Sequence, residues 1–230
     1  MESVVLNIPS YETYSKNVEA ANVTPDMTEM ITRAKQAIAV TYSNASLIIP
    51  HAGQLMWFGD AMVDMLYTHE DLAPAVMKVT NSSSLIYTVT LGGQRIVFLN
   101  DAHDDASTIV YRMYGSTLKS DIVQVAHHGY EGASLTFYQV VNPETVLWPM
   151  NIVGWQETGY GSVPQNVFAF WYRMSPTDKY PFGNRWLVDS GSVKKIIVSG
   201  FGTAEIPLPF APGGEKLGDF QKYFDEHKQD

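Results

Sequence analysis

The feature that most limits what this chain can fold into is a pair of β-branched runs around two glycines. Ser84-Leu85-Ile86-Tyr87-Thr88-Val89-Thr90-Leu91 is followed by Gly92-Gly93, then by Arg95-Ile96-Val97-Phe98-Leu99. Val, Ile, Thr and Tyr favour a pleated surface, and a glycine pair supplies the positive φ angles of a tight turn. The spacing therefore predicts a β-hairpin. The second run stops abruptly at Asn100-Asp101.

Helical and strand-like patterns alternate after the hairpin. Asp104 to Tyr114, Ser134 to Val141 and Pro164 to Met174 carry helical spacing, while Asp121 to Ala126 and Thr145 to Met150 read as buried strands. Arg185 to Val188 and Val193 to Val198 read as a closing strand pair. Before the hairpin, Leu47-Ile48-Ile49, Leu55 to Phe58 and Ala61 to Leu66 are strand candidates. Thr24-Pro25-Asp26 opens a helix that runs to about Tyr42. The alternation predicts an α/β layered domain with a mixed sheet and flanking helices. Residues 1–45 read as a lead-in arm and helix, 46–200 as the main domain, and 201–230 as a Pro/Gly-rich loop and charged tail. Trp148, Trp155, Tyr160, Trp171 and Tyr172 are read as core aromatics, with pocket lining as the other use.

Two polar clusters stand where buried strands end, which is where ligands gather in open α/β sheets. One is Asn100-Asp101-Ala102-His103-Asp104-Asp105 and the other is Ala126-His127-His128-Gly129. Asp101 taken alone has a plain alternative as a helix N-cap. His103, Asp104 and Asp105 read as the solvated first turn of the helix. Adjacent histidines before a glycine have no common structural task. His51 lies at another strand end, and His69 and His227, flanked by charges, read as exposed. There is no cysteine, so a metal here is held by His, Asp or Glu. With 15 Lys+Arg against 24 Asp+Glu the net charge is −9, which argues against a general nucleic-acid binder. No apolar run approaches the ~20 residues of a membrane span, and the compartment stays open.

Residues from about Ala52 to Val198 resemble the second half of a metallo-β-lactamase-fold hydrolase. The likeness is to the hydrolase domain of bacterial competence proteins and to phosphorylcholine esterases. It rests on Asn81, Ser84 and Leu85, then Asn100-Asp101, then Leu118-Lys119-Ser120-Asp121 leading into His127-His128-Gly129, with Pro143 and Val188-Asp189-Ser190-Gly191 beyond. The resemblance implies half of an αβ/βα sandwich. It implies that Asp101 bridges two divalent ions, zinc or alternatively manganese, that His128 and His51 are further ligands, and that the catalytic His127 contacts a substrate oxyanion or orients a ligand. The implied substrate is a phosphodiester or related ester.

The sequence also departs from the family pattern. The first metal motif, His-x-His-x-Asp-His, is absent. Asn100 replaces the glycine before the bridging aspartate, and Tyr130 the serine after His-His-Gly. Two expectations follow. Either the chain is the C-terminal part of a longer hydrolase, inactive alone, or it is a degenerate, non-catalytic binding domain on the same fold. Both leave an apolar sheet face to be covered by a missing N-terminal half or by a second copy.

Overall fold

The computed structural model describes residues 3–17, 25–72, 80–130, 132–157 and 184–226. In chain order the strands are β1 (Ser3–Val5), β2 (Ser46–Ile48), β3 (Leu55–Phe58), β4 (Ala61–Tyr67), β5 (Ile86–Leu91), β6 (Gln94–Phe98), β7 (Ile122–Gln124), β8 (Thr145–Trp148), β9 (Lys195–Val198), β10 (Ala204–Glu205) and β11 (Lys216–Leu217). The helices are α1 (Tyr11–Asn17), α2 (Pro25–Thr41), α3 (Asp104–Tyr114), α4 (Leu135–Val141), α5 (Ile152–Glu157), α6 (Asn184–Asp189) and α7 (Asp219–Glu226).

Seven strands make one mixed sheet in the order β3-β4-β5-β6-β7-β8-β9. The first four are antiparallel, and β6 to β9 run parallel. The expected hairpin is β5–β6, with Leu91 opposite Gln94. Gly92 and Gly93 hold φ of 60° and 78°, as a two-residue turn with the twist of its strands requires. Parallel strands need crossovers, and α3 and α4 supply them on either side of β7. Ser134 caps α4 by accepting from the Phe137 N–H, and Asn142 ends it in a left-handed conformation.

Register decides the two faces. Val97, Val123, Val146 and Ile196 stand side by side and pack into one core with Ala106 and Val110 of α3 and Phe137, Tyr138 and Val141 of α4. Trp148 and Trp155 lie buried edge to face, ring centres 5.1 Å apart. Tyr160, Trp171, Tyr172 and the helix expected over Pro164 to Met174 lie outside the described residues. The opposite face carries Ile96, Ile122 and Lys195 and is crossed by the C-terminal segment. There Gln94 exchanges two hydrogen bonds with the Phe210 backbone. Lys195 meets Glu215 at 2.8 Å, both largely shielded from water. Burial works to raise the Glu215 carboxyl, but the Lys195 hydrogen bond and backbone N–H groups outweigh it and hold the group below its ordinary value. Gln221 of α7, fully buried, accepts from the Val198 N–H.

Two expectations are corrected. Residues 185–188 are not a strand: they lie in α6, which packs on α4 and buries Leu187, while β9 pairs with β8. A four-residue apolar run has too few positions for periodicity to separate helix from strand. The lead-in arm finds its partner within the chain. β1 pairs in parallel with β2, and Tyr14 is fully buried. His69 is half-buried rather than exposed; His227 lies outside the described residues.

Candidate metal centre

The two polar clusters are brought together by a side chain between them. At the end of β7, the Gln124 Oε1 accepts from the backbone N–H groups of Leu99 at 3.0 Å and Asn100 at 2.7 Å. The His127 N–H donates to the Asn100 carbonyl at 2.8 Å. The Asn100 amide donates to the Leu85 carbonyl at 2.8 Å. The ends of β5, β6 and β7 are thereby locked to one another. Asn100, His127 and His128 hold φ of 50°, 49° and 57°. Left-handed backbone is costly for residues with a Cβ and persists only where surrounding bonds enforce it.

His128 is fixed at both ends. Its Nδ1–H donates to the Pro149 carbonyl just beyond β8, and its own carbonyl accepts from the Trp148 indole at 2.8 Å. With the proton on Nδ1, the Nε2 lone pair is left as the donor. That atom lies 3.4 Å from Asp101 Oδ1, and both side chains are about half exposed (49% and 47%). The N-cap of α3 is His103, so Asp101 does not serve as the cap. Gly129 follows at φ 85°, where a Cβ would sit 2.3 Å from the Trp148 ring nitrogen. Only glycine permits both the backbone angle and the packed indole.

His127 Nε2 lies 2.9 Å from Asn81 Nδ2, and its ring centre is 5.9 Å from that of Tyr130. Asn81 arrives from the turn before β5. In the sequence it is marked only by its place with Ser84 and Leu85 in the family resemblance. Pro149 contributes a carbonyl, which no side-chain pattern signals.

His51 is held elsewhere. Its Nδ1 pairs with Glu70 Oε2 at 3.2 Å, and its N–H with Gln54. The same Glu70 oxygen accepts from Thr68 at 2.6 Å and from Asn7 at 3.1 Å, and Asn7 Oδ1 lies 3.0 Å from His69 Nε2. His103, Asp104 and Asp105 form the one group of three potential ligands found among the described residues, their donor atoms within 4.8 Å of one another. They are not a solvated face. His103 is buried against Asp104 at 2.6 Å, and Asp105 accepts from the buried Ser82 hydroxyl at 2.8 and 2.7 Å. These bonds tie the 80–83 turn to α3, and so set the position from which Asn81 reaches His127.

Asp101 and His128 suit a divalent ion. Two donors at about 2.0–2.1 Å from a tetrahedral ion stand about 3.4 Å apart, which is the separation observed here. Nδ1 bonded to a backbone carbonyl is the usual way a ligating histidine is oriented. The donor set is incomplete for catalysis, because catalytic zinc takes three protein ligands.

No family model and no curated protein matches the chain. Among solved structures it is similar to a Glu-to-Asp variant of the CmlA β-hydroxylase, with 12% identity and a TM-score of 0.42 over 70% of this chain and 34% of that one. It is also similar to CmlA, a diiron β-hydroxylase from Streptomyces venezuelae, with 13% identity and a TM-score of 0.33 over 48% of this chain and 26% of that one. The chain thus spans about a third of the length of the first and a quarter of the second. Among the described residues no helix is long and apolar enough to cross a membrane.

Proposed function

We propose that this chain supplies the Asp101–His128 part of a divalent-metal centre in a hydrolase built on half of a metallo-β-lactamase-type sandwich, acting on phosphodiester or related ester bonds. One observation carries the reading: the His128 imidazole is turned by the Pro149 carbonyl so that Nε2 meets Asp101 at a ligand-to-ligand distance. When bound, a zinc or manganese ion supplies a Lewis acid that makes water nucleophilic near neutral pH and offsets charge on the ester oxygens. Asp101 and His128 hold it. His51 keeps its Nδ1 on Glu70, so Nε2 is the atom it would offer, and the remaining donors come from beyond this pair.

His127 serves the oxyanion. Asn81 donates to its Nε2, which puts the imidazole proton on Nδ1. An apolar cavity of about 520 Å³ lies beside the centre. It is lined by Leu147, Pro149, Ile197, Thr203, Ala204 and Ile206 among others, with no charged side chain, and suits the uncharged part of an ester. Pro149 is shared between the cavity wall and the His128 anchor.

Calorimetric titration with zinc chloride or manganese chloride tests the reading, using the wild-type chain, Asp101→Asn and His128→Ala. Weak binding is expected for the wild type, reduced at least about tenfold in each variant. No metal uptake by the wild type, or uptake unchanged in both variants, would defeat it.

A further inference from the structure

β3 is the outermost strand of the sheet and has β4 as its only neighbour among the described residues. Its sequence, Leu55-Met56-Trp57-Phe58, holds no charge and no proline, and Gly53-Gln54 and Gly59 flank it. The side chains are open to water: Leu55 is 57%, Trp57 66% and Phe58 49% exposed. Edge strands are normally protected by lysine, proline, a bulge or a covering segment. The one register shift near this edge lies at Met65/Tyr67 between β4 and β5, one strand further in. Among the described residues, nothing covers the row of backbone donors and acceptors that β3 presents between large apolar groups.

We propose that β3 pairs antiparallel with β3 of a second copy of this chain, joining two seven-stranded sheets edge to edge about a two-fold axis. The strand is complementary to itself. With the axis at Met56, Met56 faces the partner's Met56 on one face of the sheet. Leu55 then faces the partner's Trp57 on the other face, and Trp57 the partner's Leu55. Residues directly opposite in an antiparallel pair share a face, and alternate residues of one strand do too, so these contacts follow from the pleat. The same register sets Gln54 against the partner's Phe58, Gly53 against the partner's Gly59, and Asp60 against the partner's Ala52. No carboxylate meets another, although each chain carries a net charge of −9.

The exposed parts of Trp57 and Phe58 amount to about 250 Å² per chain, taking aromatic side chains at 150–250 Å² each. That is well below the ~800 Å² per partner of a standard stable interface. The dimer is accordingly weak and concentration-dependent.

Sedimentation velocity of the full chain between about 1 and 200 μM reads the equilibrium. The wild type is expected to pass from monomer to dimer across that range. Leu55→Lys and Trp57→Lys are expected to stay monomeric with unchanged thermal midpoints, since both side chains are already exposed. Because the chain has no cysteine, Met56→Cys introduces a single thiol, and mild oxidation is expected to cross-link it across the axis. A wild type monomeric throughout, a dimer that survives both lysine variants, or a dimer whose Met56→Cys form fails to cross-link would each overturn the proposal.

Discussion

Among the described residues, four other than glycine hold a positive φ, and three of them, Asn100, His127 and His128, stand at the candidate metal centre. The fourth, Asn142, ends a helix, where such an angle is ordinary. The backbone cost is thus concentrated at the candidate centre, and functional sites are a usual place for such strain. The His-His-Gly triplet works as a unit. The histidines bend the chain, and the glycine lets Trp148 close over it. Gly129→Ala should destabilise the fold by about 2–4 kcal/mol, combining backbone strain with a steric clash; a urea melt measures it. The adjacent histidines were legible in the sequence because their residue types and their place at a strand end are unusual. Asn81 was marked only through the family resemblance, because an asparagine before a strand is otherwise an ordinary turn residue until a ring from 46 positions away is laid against it.

At the scale of elements, the centre exists because the ends of β5, β6 and β7 are fastened together. Gln124 is the fastening, an acceptor for two consecutive backbone N–H groups. Gln124→Leu keeps the size and removes the acceptor. It should cost about 1–3 kcal/mol, the penalty of a polar group left without a partner, and denaturant midpoints would register it. Zinc binding should weaken in the same variant, because Asn100 no longer holds Asp101 and His127 in place. Long, strongly patterned elements such as α3 and the β5–β6 hairpin were readable in advance. The α6 segment was not: Trp186-Leu187-Val188 fits a strand as well as a helix, and only packing of Leu187 against α4 decides.

The whole molecule is sensitive to acid at its N-terminal attachment. Asn7, nearly fully buried, binds the Pro50 carbonyl, Glu70 and His69 at once, and thereby fastens the segment after β1 to the body. Burial lowers His69 below its ordinary 6.5, against the opposing pull of Glu70 and Asp71. Burial works to raise Glu70, but hydrogen bonds from Thr68, His51 and Asn7 outweigh it and hold the carboxyl below its ordinary 4.5. Both depressions act in one direction. The stability linked to His69 is complete above pH 6.5 and declines as pH falls towards its folded value. That linked to Glu70 is complete above pH 4.5 and declines below it. Amide exchange at Val4, Val5 and Leu6 should therefore quicken relative to the β5–β6 hairpin as pH is lowered from 7 to 5, after correction for intrinsic exchange rates. Protection that holds constant would contradict the linkage.

By itself the sequence determined the α/β alternation, the hairpin, the helices α2, α3 and α4, and the two strand ends where the polar clusters stand. These follow from local chain preferences and from spacing along a few residues. Only the tertiary structure decided which of the marked residues meet. It joined Asp101 to His128, gave Asn81 to His127, and turned His51 towards Glu70. It also buried Tyr14 and left β3 as an open edge. Such outcomes depend on strand order and register, which set distances between residues far apart in the chain, and no pattern within a single segment encodes them.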